Sequence, residues 1–333
     1  MRLRTPICEL LGIEVPIVQA PVSSAPALAA AVSNAGALGM LQLSWLGLEE
    51  ARAVIRETRR LTARPFGVNL VLEWSQRDRL ALALEEGVSA VSLFWGDPSP
   101  YLDQIREGRA RSLFTASSAV EARQAAELGA EVIVAQGFEA GGHVGGVVST
   151  LPLIPAVVDA VSPVPVIAAG GIADGRGLAA ALALGAAGAW LGTRFVASEE
   201  AGLHPAYKAR IAAALETDTV YSSVFDVGWP NAPHRTLQNS TTRMWQDAGS
   251  PASGARPGEG EAVATSADGG PIVRYSVDDP RLDMTGDMEA LALYAGQSAG
   301  LVHDVLPAGD IVRMIANEAE VVLRHLTGDR VEE

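Results

Sequence analysis

The feature that most limits what this chain can fold into is a recurring unit: a helix end, a glycine, one to three residues, then a short apolar strand. It occurs as SNAGALGML (33–41), LEEGVSAVSLF (84–94), AELGAEVIVAQ (126–136) and ALGAAGAWLG (183–192). A glycine in that place ends a helix in the left-handed conformation. The run after it is apolar throughout, as a parallel strand covered on both faces is. Four copies about one βα unit apart predict a parallel sheet whose helices are crossovers. Reading around them gives eight strands, near 17–20, 38–41, 67–71, 90–94, 112–116, 132–136, 166–169 and 189–192. Helices fit between them, for example over 25–34, 48–61, 119–128 and 175–184. A doubly wound sheet is the rival, but eight strands in regular alternation favour closure, so the expected fold is an α/β (β/α)8 TIM barrel.

The segment 165–200 holds the densest signal. Its first strand runs into Gly170 and Gly171, and its second stops at Gly192 and Thr193. Glycine at a strand tip lets a ligand approach the backbone and leaves N–H groups free to meet an anion. In many barrels of this class the loops after strands 7 and 8 hold a phosphate beside a short extra helix. Beyond the eighth strand the regularity fails. A helix is expected over 206–215, but residues 220–287 carry six prolines and many glycines and cannot be a βα unit. They read as a lid-like insertion over the C-terminal face or as a partly disordered loop. Closing helices are expected over 288–294 and 311–326, the latter with one apolar helical face. The division is then a barrel core (1–219), an insertion (220–287) and C-terminal helices completing the barrel (288–333).

Composition narrows the function. With 25 Lys and Arg against 39 Asp and Glu the net charge is −14, which disfavours a nucleic-acid or anionic-membrane surface. The single cysteine, Cys8, precedes the first strand, so no intrachain disulfide forms and no thiol nucleophile waits at the C-terminal face. No apolar run reaches a bilayer-spanning length and the N-terminus lacks a signal-peptide pattern, so a cytoplasmic enzyme is expected. No His, Cys and carboxylate set has metal spacing.

Strand ends carry the remaining candidates. The turn Ala20-Pro21-Val22 after strand 1 could line a flat ring, or be simply a turn and helix cap. Asn69, at the end of strand 3, could donate to and accept from a heterocycle edge, or cap the next loop. Strand 6 runs through Gln136 into a glycine-rich loop holding Gly141 and His143. A histidine there, with no apolar pattern to bury it, suits a proton acceptor near neutral pH. Of the others, His234 lies in the insertion and reaches the site only if that segment folds over it. A phosphate cradle, ring-lining amides and one histidine point to an organic cofactor that supplies the chemistry.

In QAPVSSAPALAAAVSNAGALG, PFGVNL, AQGFEAGGHVGG, PVIAAGGIADGRG, GAAGAWLGTRF and YAGQSAGLV the chain resembles the nitronate monooxygenase (2-nitropropane dioxygenase) family of flavin enzymes over nearly its whole length. The resemblance implies an FMN-bearing barrel. The phosphate would fall on Gly170, Gly171, Gly192 and Thr193. The ring would meet Ala20, Pro21, Val22, Asn69, Gln136 and Gly141. His143 would be the base, and the segment from Gln297 would approach the flavin. The partners implied are a nitronate or nitroalkane and O2, and a homodimer is compatible with this reading. Val22 stands where the family often has methionine. Related reductases, of enoyl-acyl-carrier-protein and NADH:quinone type, share the same loop. Inosine monophosphate dehydrogenase has similar phosphate loops, but its chemistry needs a cysteine that this chain lacks.

Overall fold

The computed structural model describes residues 3–327. Eight parallel strands form one sheet: β1 (Ile17–Gln19), β2 (Gly39–Gln42), β3 (Phe66–Val71), β4 (Ala90–Phe94), β5 (Arg111–Ala116), β6 (Val132–Gln136), β7 (Val166–Ala169) and β8 (Gly188–Leu191). Each pairs with the next, and β8 returns to β1 with Ile17 opposite Ala189. The seam between β1 and β2 is a bridge from Val18 to Leu38, so the barrel is all but closed. Helices over Pro26–Asn34, Leu48–Leu61, Ala119–Glu127 and Gly175–Ala183 cover the outside, within a residue or two of the expected bounds.

A strand's period of two sorts its side chains between two cores. Val68 and Leu70, Val91 and Leu93, and Ile133 and Ala135 face outward onto the helices. Val18, Met40, Leu113, Val132, Val134 and Ile167 fill the interior, together with Ile7, Cys8 and Leu11 of the helix Pro6–Leu11. The barrel bottom is therefore plugged by apolar side chains. At the other end the same alternation turns Asn69, Thr115 and Gln136 inward, at the mouth.

The insertion is ordered, not a loose loop. Thr219–Ser222 and His234–Leu237 pair antiparallel, and His234–Leu237 also pairs with a two-residue strand, Gly142–His143, from the loop after β6. A second small sheet joins Ala262–Thr265 to Pro271–Val273 and Thr285–Gly286. Arg256 locks these parts together. It donates to the Val224 carbonyl (2.9 Å), to Asp226 (2.7 Å) and to Glu259, with its guanidinium 4.3 Å from the centre of the Tyr275 ring.

The expected helix over 288–294 is absent. Met288–Ala290 is a single 3-10 turn, after which the chain runs extended, with Leu293 accepting from the Leu237 N–H. Leu291, Ala292, Leu293 and Ala295 are all buried, so the segment has no solvent side for a helix to present. The last helix spans Ala308–Thr327 and packs on Gly175–Ala183, where a Cβ on Gly175 would lie 2.4 Å from the Ala319 nitrogen.

Candidate active site

A cavity opens at the C-terminal mouth of the barrel, beneath the insertion. Eleven of the twelve candidate positions border it: Ala20, Pro21, Val22, Asn69, Gln136, Gly141, His143, Gly170, Gly171, Gly192 and Thr193. Gln297 does not. Its side chain is exposed and its N–H goes to the Glu139 carbonyl (3.0 Å), while Gly296 and Ser298 on either side face the cavity. A 3-10 turn over Gln297–Leu301 rotates the glutamine away.

The backbone beside β7 and β8 is unusually bare. Gly170 and Gly171 sit at φ 98° and 72°, the left-handed region that glycine occupies without strain. Among the described residues, the N–H groups of Gly170, Gly171, Gly192 and Thr193 donate to no protein acceptor. Thr193 opens the short helix Thr193–Val196, and its hydroxyl accepts from the Gly296 N–H at 2.9 Å. That bond leaves the hydroxyl proton free. Unpaired donors at two strand tips and a helix start make an anion site, and a phosphate monoester has the oxygens to fill it.

The amide side chains are partly committed. Asn69 donates to Ser92, at both its carbonyl and its hydroxyl (3.3 Å each), so its carbonyl oxygen remains to accept. Gln136 donates to the His143 carbonyl (3.1 Å) and fixes the loop that carries the histidine. At Gly141 a Cβ would stand 2.4 Å from Ala295 and Gly296 backbone atoms, so this glycine exists for close chain packing.

His143 departs from its sequence expectation. Its ring stacks on Trp229 with centroids 4.0 Å apart, and its Nε2 is buried without a hydrogen-bond partner. Burial first, and then the neighbouring His234, push its pKa from 6.5 down to about 3. The imidazole is therefore neutral across the physiological range, and nothing in the protein competes for its orphan nitrogen. His234 is fully buried 5.5 Å from it but does not border the cavity. Its Nδ1 donates to Ala232 (2.9 Å) and its Nε2 accepts from the Phe225 N–H (3.3 Å), so it is a structural residue of the insertion.

The insertion and the segment after it supply a wall the sequence did not disclose: Trp229, Asp278, Asp279, Arg281 and Tyr294, with Tyr207 from the preceding helix. Burial raises the Asp279 carboxyl to about 6 against the pull of Arg281. Tyr207 donates to the Tyr294 carbonyl at 2.5 Å, and burial, aided by Asp279, holds both phenols well above 10. Trp45, just past β2, completes the rim. Its position at a strand's C-terminal end was a usable signal. The DDPR run at 278–281 offered none. Among the described residues no group of three or more His, Cys, Asp or Glu could hold a metal, and no helix is long and apolar enough to cross a membrane.

Comparison with known proteins agrees with this geometry. A family model described as "Nitronate monooxygenase" matches residues 4–78 and 72–318. The chain is 33% identical to the nitronate monooxygenase of Paraburkholderia phytofirmans, with 95% of each covered. It is 40% identical, over 72% of its length and 67% of the relative's, to a (3aS,4S,5R,7aS)-5-hydroxy-7a-methyl-1-oxo-octahydro-1H-indene-4-carboxyl-CoA dehydrogenase of Mycobacterium tuberculosis. Among solved structures FabK from Thermotoga maritima superposes with a TM-score of 0.81 at 32% identity, covering 98% of this chain and 99% of that one.

Proposed function

Because the chain belongs to the nitronate monooxygenase family, a family of flavin-dependent oxidoreductases, we propose that it binds FMN and oxidises alkyl nitronates, and the nitroalkanes they form from, with O2, releasing a carbonyl compound and nitrite. The observation that carries the cofactor assignment is the set of unpaired N–H groups at Gly170, Gly171, Gly192 and Thr193 facing one cavity. They would hold the FMN phosphate, with the ring toward Asn69, Gln136 and the Ala20-Pro21-Val22 turn. When bound, FMN supplies the electron acceptance and oxygen chemistry that no side chain here can.

The protein's own part is proton handling, positioning and water exclusion. A nitronate is already deprotonated at carbon and needs no base. A neutral nitroalkane must first lose its α-proton, and the lone pair on a neutral His143 would take it. Charging that ring in a buried site is unfavourable alone, but the nitronate's developing negative charge beside it offsets the cost. Trp229 stacked on the ring keeps it oriented and dry.

His143→Ala is therefore expected to lower kcat/KM for nitroethane by about 10²–10⁴-fold. Turnover of pre-formed ethylnitronate should fall by less than about tenfold, because proton abstraction is bypassed. Equal losses on both substrates would remove the base role. A second reading is favoured by the similarity to FabK and to the carboxyl-CoA dehydrogenase: an NAD(P)H-dependent flavin reductase of quinone or enoyl-thioester type on the same barrel. Anaerobic mixing separates the two. Rapid flavin bleaching by NADH or NADPH would establish the reductase; nitrite release from propionate 3-nitronate without bleaching would establish the oxidase.

A further inference from the structure

Four of the chain's six tryptophans meet in one cluster at the barrel mouth, in a sequence only 5% aromatic. Trp229 sits at the centre. Its ring lies 5.4 Å from Trp74, 5.3 Å from Trp95 and 6.1 Å from Trp45, and Trp45 lies 5.9 Å from Trp74. Three of the four stand just beyond the C-terminal ends of β2, β3 and β4, and the fourth comes from the insertion. Trp229 is buried, but Trp45 and Trp74 are 41% and 38% exposed. A cluster made only for packing would bury those faces, since an indole left in water forfeits its apolar burial. Trp95 is held at φ 62°, a conformation bulky residues avoid. Such strain persists where the surroundings dictate a side chain's direction.

The cluster is continuous with the cavity. Trp45 and Trp229 border it, and Trp229 also stacks on His143. We propose that the open faces of Trp45 and Trp74, backed by Trp229, seat a flat apolar group on the substrate. The site then prefers nitro compounds bearing an aromatic or polycyclic body over short-chain ones. This deepens the nitronate reading and rests on it for the reacting group only. Indole faces suit such a body because offset and edge-to-face ring contacts add to area burial, whereas a two- or three-carbon substrate reaches too few of them.

The test separates the platform from the chemistry. With the flavin-loaded enzyme, calorimetric titration with 2-naphthamide, which has no nitro group, is compared with butyramide. Naphthamide is expected to bind at least about tenfold tighter, and Trp74→Ala or Trp45→Ala to erase about fivefold or more of that difference. Trp74→Phe, which keeps a ring, should stay within about twofold of the parent. In turnover, the kcat/KM ratio of phenylnitromethane nitronate to ethylnitronate should fall in the alanine variants and hold in the phenylalanine one. Flavin content and melting temperature check that each variant is folded, and Trp45→Ala serves if Trp74→Ala is not. Naphthamide preference without turnover of either nitronate would overturn the oxidase reading and leave the platform standing. Equal binding of the two amides, or a preference untouched by both alanine variants, would overturn the platform.

Discussion

A Cβ on Gly141 would stand 2.4 Å from the Ala295 carbonyl carbon, whereas one on Gly192 would meet nothing nearer than the Ala20 Cβ at 3.6 Å. The two glycines serve different ends, and substitution should separate them. Gly141→Ala has no room and is expected to cost about 1–3 kcal/mol in unfolding experiments. Gly192 has a negative φ of −104° and room for a Cβ, so Gly192→Val should cost less stability than Gly141→Ala. The added side chain would project toward Ala20 and Val22 at the cavity wall, narrowing the space beside the free amides, and the purified variant should carry much less flavin per chain, read from its visible absorbance. Full flavin retention in Gly192→Val would mean that the phosphate sits elsewhere. His143 teaches a related lesson. Its place in a glycine-rich loop was plain from the sequence, but its pKa of about 3 was not, because it rests on burial, with Trp229 stacked on the ring, and then on the charge interaction with His234, both from distant parts of the chain. Activity on nitroalkanes should therefore show no inflection near pH 6.5 from this residue. A rate loss centred there, absent in His143→Ala, would contradict that.

For the barrel strands, the period-two alternation and the helix–glycine–strand unit were enough to place every strand tip, and with the tips came Asn69, Gln136 and the bare backbone of Gly170 and Gly192. The insertion resisted the same reading. Its order rests on contacts distant in sequence, such as Arg256 with Val224 and Asp226, and on two three-stranded sheets whose short strands carry no periodicity. The stretch 291–295 misled for a neighbouring reason: apolar residues on every side suit a buried extended segment as well as a helix. Arg256 is the element's weak point. Its side chain is 3% exposed, so Arg256→Ala leaves Asp226 and the Val224 carbonyl without their donor and is expected to cost about 2–3 kcal/mol. Hydrogen exchange should rise across 220–287 and leave β3 to β6 unchanged. Uniform loss of protection over the barrel would show that insertion and barrel unfold together.

The buried histidines tie the whole molecule's stability to pH. His234 has its pKa lowered to about 4 by burial, below the 6.5 of an unfolded chain. Between those values the unfolded chain takes up a proton that the fold refuses, so stability falls as pH drops through that window and is level above it. From pH 7 to pH 5 this one group removes roughly 2 kcal/mol, and His143 adds to it in the same direction. Chemical denaturation at the two pH values measures the drop. His234→Gln, which cannot titrate, should flatten the slope even if it lowers stability overall. An unchanged slope would place the acid sensitivity in other groups. Finally, Gly142 and His143 form the third strand of a sheet whose other two strands belong to the insertion. The His143 imidazole at the cavity and the roof above it are thus stitched into one piece of backbone. Transplanting a relative's roof onto this barrel, in order to exchange substrates, would therefore also reset the register of the residue beneath it. A workable chimaera must move both segments as a unit.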